Sequence, residues 1–420
     1  MARLTARFAS ALLATTLPLA ALAGPNVITD WDEKAAATIQ GNVPAAPRIG
    51  HAGATRIMAV MHIAMFEAVN AVDAKYAAYK GEAVKADPGC SQQAAAATAA
   101  ARVLIKMHPE SAAKSQQELD AYLAKIPAGE GKDRGVKLGE ETAARVMALR
   151  ADDGNEKAYD YRPRTSPGVY VQTVPTISWE HATMTPFVLT SPSQFRPGPP
   201  VDLKSEVWAK DYNEIKDLGG TSSTTRTARQ SEDAKFWLAA GPTMYSPFPR
   251  QIAIAKDMSV IESARFMSVV TMAMMDATIA IFDAKYAYEF WRPITAIRNG
   301  DTDDNPATER VANWTPFGIN TPMHPEYPCA HCVISGSVAG SVATLLGTDA
   351  IPEVTITSPS APGVTHKFTS IQALNDEIAG ARIYAGFHYR FSTVAGSDLG
   401  KKVGVYAAQN AMQPLKVAGK

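Results

Sequence analysis

Lys285 and Arg292 stand seven residues apart, and Pro293 follows them directly. Arg382 precedes His388 by six, and between these pairs Pro328-Cys329-Ala330-His331 opens a largely apolar run. These residue types suit one kind of chemistry. An ammonium and two guanidinium forks neutralise the oxygens of a tetrahedral or trigonal oxyanion, and neutral imidazoles serve both as metal ligands and as proton carriers.

The spacing sets conditions on the backbone. If one helix runs through 285–292, both side chains project within about 20° of each other, two turns apart, and can touch one ligand. Pro293 then ends or kinks that helix. Pro328 suits the first position of a helix through Leu346, whose free amides at Cys329 and Ala330 would face an anion beside the positive end of the dipole, with His331 next to them. Arg382 and His388 cannot share one helix face. Gly386, as a left-handed C-cap, would turn His388 back toward the ligand.

The three signatures together, K-x6-R-P, P-C-A-H and R-x5-H, resemble those of the type 2 phosphatidic acid phosphatase superfamily, in which the second reads P-S-G-H. Cys329 stands where that pattern has serine and Ala330 where it has glycine. Phe290-Trp291-Arg292-Pro293, Pro325-Glu326-Tyr327-Pro328, His388-Tyr389-Arg390-Phe391 and Pro186-Phe187-Val188-Leu189 resemble the vanadium haloperoxidase branch in particular. The resemblance implies an all-α fold of two related four-helix-bundle-like halves. It implies that Lys285, Arg292 and Arg382 grip the oxyanion, that Cys329 and Ala330 belong to the same cradle, and that His331 is the acid-base group. His388 would be the axial ligand to vanadium. The implied activity is peroxide-dependent halide oxidation with vanadate as cofactor. Two alternatives use the same residues: an acid phosphatase without a cofactor, in which His388 is the nucleophile attacking a phosphate ester, and a non-catalytic oxyanion binder.

Cys329 bears on that choice, because a thiol donates hydrogen bonds weakly where serine donates well. A free thiol beside peroxide also climbs the oxidation ladder. Haloperoxidase chemistry therefore expects Cys329 in a disulfide. The Cys329-x-x-Cys332 spacing at a helix start favours one, although Cys90 offers either a second partner. A zinc site on the two cysteines with His331 and His324 would leave the far corners of a tetrahedron unfilled. His324 lies just upstream and is a candidate to line the pocket. His62 falls on an apolar helix face and reads as core, and His51, His108, His181 and His366 as structural or exposed; Phe290 and Trp291 read as packing.

Several elements must carry these groups. Residues 1–23 read as a signal peptide: Arg3 and Arg7, an apolar run from Phe8 to Ala20 too short to span a bilayer, then Ala21-Leu22-Ala23 before Gly24. A periplasmic or secreted location follows as an expectation. With 46% hydrophobic residues and 41 basic against 41 acidic side chains, composition excludes disorder and speaks against nucleic acid or stable membrane insertion; it leaves the oligomeric state open. Residues 54–72 echo 263–281, with Glu67 recurring as Asp276, which suggests a duplicated helical half. The expected plan is an N-terminal half, 24–240, with an irregular Pro-rich crossover at 153–200, and a C-terminal half, 241–420, carrying the site as part of one compact unit. Helices are expected over 91–108, 112–126 and 132–150, around Val207 to Leu218, from a Thr225 cap through Trp237, and over 396–412. Two β-branched runs at 354–357 and 364–368 predict a hairpin, whose tip is either an inert loop or a cover over the pocket.

Overall fold

The computed structural model describes residues 24–40, 50–172 and 174–415, so the expected export signal lies outside the described residues. The chain is mostly helical with a single two-stranded antiparallel sheet among the described residues. Two long helices form its axis, α2 (His51–Asp73) and α10 (Val260–Tyr288), the same stretches that echo each other in sequence. Both are apolar on every side, as a helix surrounded by others must be. Their length and composition would suit a bilayer, but 89% and 94% of their most apolar windows are buried inside the protein. They pack on one another, and Ser268 Oγ donates to the His62 carbonyl at 2.7 Å across the contact. His62 is a core residue, with Nε2 3.0 Å from Asp32 of α1 (Val27–Gln40), a helix that sequence patterning did not single out.

Against α2 pack α3 (Gln92–Met107) and α5 (Glu130–Leu149), with α4 (Ala112–Leu123) packed on α3, all close to the expected spans. The crossover that follows is irregular, as its prolines require, and it is tied down over 185–189. Arg150 donates to the Thr185 and Pro186 carbonyls, while Asp276 of α10 accepts the amides of Phe187, Val188 and Leu189 at 2.6, 2.7 and 2.8 Å. Glu67 does the parallel work on α2, accepting the Tyr79 amide at 2.6 Å.

Next come α6 (Glu206–Gly219), α7 (Ala228–Phe236), α8 (Pro242–Tyr245) and α9 (Pro247–Ala255). The cap of α7 is Thr227 rather than Thr225. Its side chain and that of Gln230 form a reciprocal capping box, which Thr225 lacks a partner at the right spacing to make. Beyond α10 stand α11 (Pro293–Arg298) and α12 (Ala330–Leu346), then β1 (Ala350–Ser358) paired with β2 (Ala361–Ser370), α13 (Ile371–Tyr384) and α14 (Arg390–Asn410). The final helix thus starts six residues before the expected Gly396. The hairpin tip does not hang free: Ser360 Oγ donates to the Lys235 carbonyl at 2.8 Å and accepts the Ala239 amide at 3.2 Å.

The closest approach between helices is that of α12 and α14. A Cβ at Gly400 would fall 2.0 Å from the Val333 carbonyl oxygen, and one at Gly404 2.2 Å from that of Ser337. Only hydrogen fits there, so the backbones touch and the start of α12 is locked beside the start of α14.

Candidate active site

That lock joins the second and third signatures. Arg382 sits in the last turn of α13. Gly386 takes φ +79°, and the amides of Phe387 and His388 fold back onto the Arg382 carbonyl at 3.1 and 3.3 Å, the expected left-handed cap. His388 therefore points inward just before α14.

The first signature is built differently from the expectation. α10 stops at Tyr288, Glu289 adopts the left-handed conformation, and Arg292 is extended with φ −78° and ψ 153°, so Lys285 and Arg292 do not share a helix face. They converge through a bend, which the crossover clamps: the Tyr170 amide bonds the Glu289 carbonyl at 2.7 Å and the Trp291 amide the Gly168 carbonyl at 3.0 Å. The second signature also departs. The Tyr327–Pro328 peptide is cis, Cys329 rather than Pro328 caps α12, and the Cys329 amide is not free but donates to the Ser392 carbonyl at 3.3 Å. Ala330 occupies the first helical position. Cys329 and Cys332 form a disulfide, which removes the zinc alternative at that position, and Cys90 is free and buried.

Lys285, Arg292, Arg382 and His388 are at most 1% exposed. Lys285 Nζ donates to the Pro325 and Glu326 carbonyls at 2.8 and 2.7 Å, leaving one of its three donors. Arg292 donates to the His324 and Phe387 carbonyls at 3.0 and 3.1 Å, and its Nη1 lies 3.2 Å from His388 Nε2. His324 does line this chamber, with Nδ1 3.0 Å from Arg292 Nη2. Arg382 Nη1 donates to the Trp237 carbonyl at 2.5 Å.

Glu326, fully buried, is the residue sequence reasoning passed over. Its Oε1 lies 2.8 Å from His388 Nδ1 and accepts the Tyr389 amide at 3.1 Å. With Nδ1 donating to the carboxylate, Nε2 carries the lone pair and faces Arg292. The only signal in the sequence was an acid embedded in an otherwise proline and aromatic stretch, Pro325-Glu326-Tyr327-Pro328.

Three buried cations against one carboxylate leave two positive charges uncompensated. Burial dominates the titration of each group. Burial, then Arg292, holds the Lys285 ammonium well below its usual value. Burial pushes Arg292 down to about 10 and Arg382 to about 9, and lifts the Glu326 carboxyl to about 7. Burial followed by the nearby cations keeps His388 and His331 well below 6.5, so both are neutral imidazoles. Arg382 Nε and His331 Nε2 are buried without a partner among the described residues. Excess positive charge together with idle buried polar atoms is what an absent oxyanion leaves behind, and vanadate and phosphate both fit it.

A second cluster, Glu232, Asp233 and His366, has ligand atoms within 4.8 Å of one another. Arg229 bridges it to Glu377, with contacts of 2.8 Å to Asp233, 3.3 Å to Glu232 and 2.9 Å to Glu377, so it already contains a cation of its own.

Four similarities to known proteins bear on this site. Residues 265–416 match the family described as the second helical-bundle domain of vanadium chloroperoxidase. Vanadium chloroperoxidase of Curvularia inaequalis is 25% identical over 246 residues, which cover 43% of this chain and 40% of that protein. The matched stretch thus spans well under half of the curated relative. Among solved structures, the fold is similar to a bacterial vanadium-dependent iodoperoxidase (TM-score 0.76, 20% identity, 94% of this chain and 98% of that one). It is also similar to the holo form of a bacterial vanadium-dependent chloroperoxidase (TM-score 0.70, 16% identity, 93% and 98%).

Proposed function

We propose, from the match of residues 265–416 to the second helical-bundle domain of vanadium chloroperoxidase, that the protein oxidises a halide with hydrogen peroxide at a vanadate held by Lys285, Arg292, Arg382 and His388. The observation that carries the reading is the buried pair of uncompensated positive charges beside the unpartnered Arg382 Nε and His331 Nε2. Vanadate bound there supplies a Lewis-acid centre that activates peroxide toward halide without changing oxidation state.

The chain's own residues have separable tasks. Arg292 and Arg382 would hold the vanadate oxygens, and the free donor of Lys285 would be available to polarise a peroxide oxygen. His388 would offer Nε2 to the vanadium, with Glu326 fixing its tautomer and ring orientation. His331 exchanges protons at Nε2. Being neutral at working pH, it accepts one from peroxide without first losing its own. The disulfide keeps Cys329 out of reach of the oxidant, since neither sulfur is a thiol. In this reading the chain acts on small molecules after export directed by residues 1–23.

The same inward Nε2, backed by a carboxylate, is also a competent nucleophile, and that favours an acid phosphatase as the second reading. One preparation separates them. The purified protein, with and without orthovanadate, is assayed for peroxide-dependent halogenation of a phenol indicator with chloride, bromide and iodide, and for phosphate-ester hydrolysis. Halogenation that requires vanadate and vanishes in His388→Ala is the expected result. Phosphatase turnover inhibited by vanadate, without halogenation, establishes the second reading instead.

A further inference from the structure

The resemblance places a serine hydroxyl where this chain has Cys329, and the disulfide leaves that position no hydrogen to donate. Its Sγ instead accepts the Cys332 amide at 3.2 Å. An oxyanion bound to the cluster of Lys285, Arg292 and Arg382 therefore lacks one side-chain donor on this side.

Tyr245 ends the short helix α8, and nothing in its sequence marks it. It is 1% exposed, and its hydroxyl is buried with no partner among the described residues. Buried tyrosine hydroxyls almost always find a partner, because stranding one costs the full loss of its hydration. The residue is also held still. Pro242 begins the helix, and the Trp237 ring stacks on that of Tyr245 with centroids 6.4 Å apart and 28° between planes.

Its surroundings name the missing partner. Arg382 is the charged group that acts on the phenol, and Tyr245 in turn heads the charge interactions on Arg382. The Trp237 that stacks on Tyr245 also accepts the Arg382 guanidinium through its carbonyl. Arg382 leaves Nε idle, and it is the strongest charge on His331, whose Nε2 is idle too. Trp237 thus ties α8 to α13, its ring packed on Tyr245 and its carbonyl holding Arg382, and the Tyr245 hydroxyl, Arg382 Nε and His331 Nε2 are all buried without a partner among the described residues. Burial also raises the phenol well above its ordinary range, so the oxygen keeps its proton.

We propose that Tyr245 donates its hydroxyl hydrogen to an oxygen of the vanadate or phosphate bound at Arg382, taking over the hydrogen bond that Cys329 cannot give. The proposal rests on the oxyanion-site reading above.

The test is orthovanadate and phosphate binding to the full-length protein by titration calorimetry, without turnover, together with thermal unfolding of the apoprotein and of the vanadate-loaded protein. Tyr245→Phe removes only an oxygen that has no partner in the apoprotein, so apo Tm is expected to stay the same or rise. Vanadate affinity is expected to fall about tenfold, the worth of one charge-assisted hydrogen bond, and the vanadate-induced rise in Tm shrinks with it. In a Cys329→Ser/Cys332→Ala background the serine hydroxyl returns, and Tyr245→Phe then costs less. Unchanged vanadate affinity in Tyr245→Phe overturns the proposal while leaving the oxyanion site standing. A fall in apo Tm with no change in affinity assigns Tyr245 a packing role and overturns it equally. Wild type that binds neither anion, alongside an equally silent Arg382→Ala, overturns the oxyanion reading itself.

Discussion

Glu326 and His388 are 62 residues apart in sequence and 2.8 Å apart in space, and the chemistry of the imidazole depends on that contact. Without the carboxylate, Nδ1 and Nε2 compete for the single ring proton. Any fraction protonated on Nε2 cannot ligate a metal or attack phosphorus. Glu326→Gln can still accept from Nδ1–H but loses the charge that favours that tautomer. Vanadate affinity measured by calorimetry is expected to fall roughly 10- to 100-fold, the range seen when such supporting groups are removed, with the apo fold intact. Unaltered affinity would leave Glu326 a purely structural carboxylate. The five cationic and imidazole candidates stand out in the sequence because each carries its chemistry in its own side chain and falls in an ordered pattern. Glu326 and Tyr245 do not. Their significance is a pairing across long stretches of chain, and no local spacing encodes it.

Elements were legible where periodicity alone decides them, as in α3, α5, α6 and the β hairpin. Where a bend does the positioning they were not. The segment from Lys285 to Arg292 reads as one helix up to Pro293, yet it ends four residues early because the crossover backbone claims the Glu289 carbonyl and the Trp291 amide. That crossover owes its own course largely to Asp276, which satisfies three consecutive amides at Phe187, Val188 and Leu189. Asp276→Ala strands all three in a buried setting and is expected to cost roughly 2 to 4 kcal/mol in urea unfolding. Asp276→Asn keeps one acceptor oxygen but turns an amide donor toward the others, so an intermediate loss is expected. The same variants loosen the crossover whose earlier residues Gly168 and Tyr170 clamp the bend before Arg292, and weaker vanadate binding should accompany the lower stability. Loss of stability with full retention of affinity would show that the crossover shelters the site without shaping it.

At the scale of the whole molecule, the echo between 54–72 and 263–281 corresponds to two central helices packed side by side, but only the second ends in the charged chamber. Lys75, the counterpart of Lys285, lies beyond the end of α2 and is exposed, whereas Lys285 is drawn into the core. Burying that ammonium beside Arg292 has a stability consequence with a definite sign. Its folded-state pKa lies below the unfolded value of 10.5, so the unfolded chain binds more protons between the two values, and stability rises with pH through that window. Lys285→Met keeps the volume and removes the charge. The apo variant is therefore expected to melt above the wild type near neutral pH, and the gap should close as pH rises toward about 10.4. Vanadate reverses the order: at 100 times its Kd it should stabilise the wild type by about 2.7 kcal/mol, and Lys285→Met by far less, because the cation that cost stability in the apoprotein now meets the charge it was placed for. Thermal melts of both proteins across pH, with and without vanadate, measure all four corners. A gap independent of pH would mean that Lys285 acts through packing rather than charge.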